Sequence, residues 1–60
     1  MGYYRWIDIA GKIIATFDDA YSAGRFHMQA WRLAGYQPVT CINPKGDDRT
    51  DMVIVSSIAW

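Results

Sequence analysis

The chain has 60 residues, a formal net charge of zero from six basic and six acidic side chains, one cysteine, and a 52% hydrophobic content that includes three Trp, four Tyr and two Phe. That length allows one domain, 1–60, whose core rarely supplies more than about 3–5 kcal/mol. A lone cysteine excludes an internal disulfide, balanced charge speaks against a nucleic-acid binder, and no apolar run approaches the ~18 residues of a membrane span.

Residues 3–9 and 12–17 are aromatic and β-branched, with Ala10 and Gly11 between them, and read as a β-hairpin. A two-residue turn there pairs Arg5 with Thr16 and Ile7 with Ile14. It puts Tyr4, Trp6, Asp8, Ile13, Ala15 and Phe17 on one face, which is the expected core side. The other face leaves Ile7, Ile9 and Ile14 as a contact patch. A longer loop would slip this register. The first residues, with Arg5 among aromatics and a charged Asp8, lack the pattern of a signal peptide.

Residues 17–36 predict one amphipathic helix. Asp18 and Asp19 stand where a short carboxylate caps backbone N–H groups, and Gly35 is a natural stop ahead of Pro38. At 100° per residue, Ala20, Ala23, Phe26, His27, Ala30, Trp31, Leu33 and Ala34 share the buried side. Tyr21, Ser22, Arg25, Met28, Gln29 and Arg32 share the outer one. Gly24, near the buried side, weakens a helix by up to about 1 kcal/mol and so marks a close backbone approach.

Residues 39–43 predict a third strand, 43–51 a mobile polar loop, and 52–60 a long apolar last strand ending at Trp60. The expected fold is α+β: ββαββ, a four-stranded, mainly antiparallel sheet in the order 2-1-3-4, with one helix packed on one face. An uncharged edge strand of that kind invites pairing with a copy or a target.

The chemistry-bearing residues carry no strong motif. His27 and Cys41 are the one imidazole and the one thiol, too few for zinc, and they read first as core residues and second as a Cys–His nucleophile pair. Asp47, Asp48 and Asp51 lack the ligand alternation of a calcium loop, and Pro44-Lys45-Gly46 lacks the glycine pattern of a phosphate loop. No catalytic, cofactor or metal residue is assigned, and no small-molecule substrate is evident. Apolar area in excess of what so small a core hides favours a protein partner or a homodimer. The residues expected to carry it are Tyr21, Arg25, Met28, Gln29 and Arg32 on the helix, together with Trp60. The sequence thus predicts a non-enzymatic, cytoplasmic interaction module, of the kind phage, prophage or plasmid genes encode to occlude a host protein. The alternatives are a small nucleic-acid-binding module and a Cys/His enzyme.

Overall fold

A computed structural model describes residues 2–58 and shows an α+β fold of three strands and three helices. The elements are β1 (Tyr4–Ile7), β2 (Ile13–Phe17), α1 (Ala20–Arg25), α2 (His27–Leu33), β3 (Thr40–Ile42) and α3 (Thr50–Ile58). The sheet is antiparallel in the order β2-β1-β3. The expected ββαββ arrangement is therefore wrong in two places. The single helix is two, and the fourth strand is a helix.

The hairpin keeps the Arg5–Thr16 pair but closes through a longer turn. Asp8 N–H donates to Lys12 O at 3.0 Å, and Gly11 N–H to Asp8 O at 2.9 Å. The Asp8 carboxylate accepts from the N–H groups of Ala10 and Lys12, both at 2.9 Å, and Gly11 takes φ +85°. The extra turn residues are absorbed by an irregularity after Trp6: Trp6 still faces Ala15, but Ile7 now faces Ile13. Such a bulge sets two residues against one, so a single side chain changes sides. Ile13, expected in the core, is 54% exposed, and Ile14 packs on the core instead.

Trp6 is fully buried at the centre of the core and explains the broken helix. Its indole N–H donates to Ala23 O at 2.7 Å, and Phe26 N–H reaches the same carbonyl at 3.1 Å in a tight i→i+3 bond. A side chain inserted into the helical ladder is a recognised cause of a kink. Phe26, at φ −84° and ψ −4°, stands between α1 and α2. Leu33, expected on the buried side, is 59% exposed. The ends behave as read: Asp19 caps Ser22 N–H at 2.7 Å. At Gly35 (φ +67°) the chain closes with Gly35 N–H on Arg32 O and Tyr36 N–H on Trp31 O, the paired bonds of a Schellman stop.

The 43–51 segment is a hydrogen-bonded reversal that leads into α3. The Asn43 amide oxygen accepts from Lys45 N–H at 3.0 Å and Asp47 N–H at 2.8 Å, while Asn43 N–H donates to Asp47 O at 2.8 Å. Gly46 takes φ +92°. The turn at Asp8 has the same construction. Arg49 N–H then donates to Cys41 O, and Cys41 N–H to Thr50 Oγ1, so the outer edge of β3 is occupied. The Asp48 carboxylate accepts from Thr50 N–H at 3.0 Å and Thr50 Oγ1 at 2.7 Å, fixing the start of α3. These bonds and the burial of Val53 against α1 override the strand preference of Met52, Val53, Ile54 and Val55. α3 packs on α1 at Gly24, where an added Cβ would collide with Val53 O and lie 2.8 Å from Ser57 Cβ. The close approach read from Gly24 is to a helix.

Helices and sheet make a thin body of 27 × 27 × 14 Å. Among the described residues, six form its buried core: Trp6, Ala23, Ala30, Val39, Cys41 and Val53.

Candidate functional site

Five of the six residues expected to meet a partner lie on the outer side of α1 and α2, and all five are exposed. Trp60 lies outside the described residues. Tyr21 and Met28 are 46% and 64% exposed and supply apolar surface to this side. Arg25 is braced against Tyr21, its guanidinium carbon 5.8 Å from the ring centroid and Nη1 donating to the phenolic oxygen at 3.4 Å. Cation and aromatic are thus held as one unit, which lowers the entropy of presenting either.

The electrostatics of this face are not visible in the net charge. Residues 20–46 contain Arg25, Arg32 and Lys45 and no acidic residue at all, whereas the rest of the chain carries six acidic residues against three basic. Among the described residues the one ion pair joins Arg49 to Asp47 at 3.5 Å, so neither Arg25 nor Arg32 is paired there. This segregation was legible in the sequence, and the overall balance concealed it.

The Cys–His pair has a different arrangement. His27 stacks on Trp6 with centroids 5.5 Å apart, and its Nε2 accepts from the Trp31 indole N–H at 2.8 Å. That bond occupies the lone pair a general base would use. Cys41 is fully buried in β3, and burial, helped by the Asp48 charge, pushes its thiol up to about 11. At neutral pH the thiol stays protonated, and the thiolate is the form that attacks. The Asp48 carboxyl is held below its ordinary value by the backbone and side-chain hydrogen bonds from Thr50, with Arg49 adding to the effect.

Two shallow depressions mark the surface. One of about 100 Å³ is lined by Tyr4, Asn43, Arg49, Met52 and Ser56 among others. Another of about 240 Å³ lies between the first turn and the end of α2, at Asp8, Lys12, Ile13, Ile14 and Leu33. No group of three or more His, Cys, Asp or Glu side chains among the described residues is placed to hold a metal ion. No helix among them is long and apolar enough to cross a membrane. Comparison with protein-family models, with curated proteins and with solved structures found no match.

Proposed function

We propose that the chain is a protein-interaction module that works by covering part of a partner's surface with the outer side of α1 and α2. The observation that carries this reading is an imbalance among the described residues. Ten large hydrophobic side chains are exposed, Tyr21 and Met28 of the outer face among them, while six residues make up the buried core. Apolar area left in water on this scale is costly and is stabilised by a partner that removes it. A cytoplasmic setting fits a single reduced cysteine, and a small phage, prophage or plasmid modulator would fit the size.

The second docking route expected from sequence, an apolar edge strand ending at Trp60, is withdrawn because residues 50–58 are helical. The homodimer expectation loses that support with it. Capture from the native host's extract tests the module reading. The wild-type chain should retain a defined partner, and Arg25→Glu/Arg32→Glu should lose it while circular dichroism shows the fold unchanged. Equal capture by both proteins would refute the assignment of this face.

A further inference from the structure

We infer that the face formed by Tyr21, Arg25, Met28, Gln29 and Arg32 takes a carboxylate-bearing protein surface, with the two arginines gripping acidic side chains on either side of an apolar contact. This rests on the module reading and specifies the partner's chemistry. Three observations carry it. The charged side chains of the face, Arg25 and Arg32, are both basic, and residues 20–46 hold no acid. Neither arginine has an ionic partner among the described residues, and Arg25 is held in place by Tyr21 rather than satisfied by it. Met28, 64% exposed, stands between them in sequence, and a thioether has nothing to offer a charged backbone.

Arginine's planar fork suits a carboxylate through two parallel hydrogen bonds, and the two forks stand on successive helices, Arg25 at the end of α1 and Arg32 in the last turn of α2. A carboxylate pair with leucine or methionine between complements all three features. A phosphate backbone complements only the first. A polyanion binder also needs more than two cations to release enough counterions for useful affinity.

The test uses two probes on the intact chain. The first is a helical peptide with Glu pairs seven residues apart flanking Leu, and the second is a twelve-nucleotide oligo-dT strand. Chemical shifts of the labelled protein are followed during each titration. With the peptide, shifts should concentrate at Tyr21, Arg25, Met28, Gln29 and Arg32, and Arg25→Glu/Arg32→Glu should weaken binding at least tenfold. Arg25→Lys/Arg32→Lys should keep part of the affinity, and Met28→Ala should weaken binding even in high salt. Tighter binding of oligo-dT than of the peptide, peptide shifts centred elsewhere, or indifference to Arg→Glu would each overturn the inference. A partner captured from extract through this face but bearing no carboxylates at the contact would overturn it too, while leaving the module reading intact.

Discussion

Among the glycines, Gly24 has the least room for a side chain. Any larger residue there meets the Val53 carbonyl, which is backbone and cannot swing aside. Overpacking costs about 1–3 kcal/mol and sometimes more, whereas Gly→Ala returns roughly 1 kcal/mol of helix propensity. Because the clash is with backbone, the upper end of the overpacking cost applies, so Gly24→Ala should destabilise by about 2 kcal/mol net, and at about 4–8 °C per kcal/mol for so small a domain the melting midpoint should fall well over 5 °C. A rise in midpoint would show that α1 and α3 are not packed this closely. Tyr36 offers the opposite case. It sits at φ +63° with its ring exposed, in a left-handed conformation that costs a residue with a Cβ about 1–2 kcal/mol. Tyr36→Asn should raise the midpoint, since Asn tolerates that region; a fall would mean the ring packs usefully.

Cys41 and Asp48 make opposite contributions to the pH profile. The unfolded thiol loses its proton from an ordinary value of 9.0, while the folded thiol holds it to about 11. The unfolded chain therefore binds fewer protons in that interval. The stabilising effect is complete below pH 9 and is lost as pH rises through 11, on the order of 2–3 kcal/mol for a two-unit shift. Urea titrations at pH 8, 9.5 and 11 should show this decline, and it should flatten in Cys41→Ala. Asp48 works at the acid end. Its folded value is depressed, so its contribution is present at neutral pH and disappears as pH falls through that lowered value. Asp48→Asn should remove part of the acid limb; an unchanged limb would mean the carboxylate does not hold the start of α3.

At the scale of elements, the first two turns and the helix stop show what one sequence can and cannot disclose. Asp8-Ile9-Ala10-Gly11 and Asn43-Pro44-Lys45-Gly46 share an acceptor side chain followed three residues later by glycine, and both fold into the same bonded reversal. That shared spacing was legible and gives the four-residue turn that a reading centred on Ala10 and Gly11 misses. Asp19 and Gly35 were legible as cap and stop because their roles are local. The kink at Phe26 was not, since it depends on Trp6, seventeen residues before the carbonyl it captures. Nor was α3, because an evenly apolar run of β-branched residues has no helical or strand period to read. Its cue was the Asp48-Arg49-Thr50 start, whose hydrogen bonds favour a turn into a helix. Trp6→Phe tests the kink directly. Loss of the indole N–H should leave Ala23 O with the Phe26 N–H alone, lower stability by about 1 kcal/mol and change the environment of Trp31, read by fluorescence.

For the molecule as a whole, the thin body and the small core set the stability. Six buried residues, one of them a tryptophan, and a 14 Å shortest dimension leave one apolar layer between sheet and helices. A single core of this kind yields about 3–5 kcal/mol, with a urea dependence near 1 kcal/mol/M for so small a surface change. The exposed side chains, Met52, Val55 and Ile58 along α3 among them, add nothing to that figure in the isolated chain. Urea unfolding followed by tryptophan fluorescence should therefore give a value in this range that does not vary with protein concentration. If the value instead rises across a hundredfold increase in concentration, a second copy is covering those side chains, because association stabilises the folded state by mass action. The homodimer would then regain support on grounds independent of any edge strand, and the acidic partner would have to compete with self-association or use a separate face.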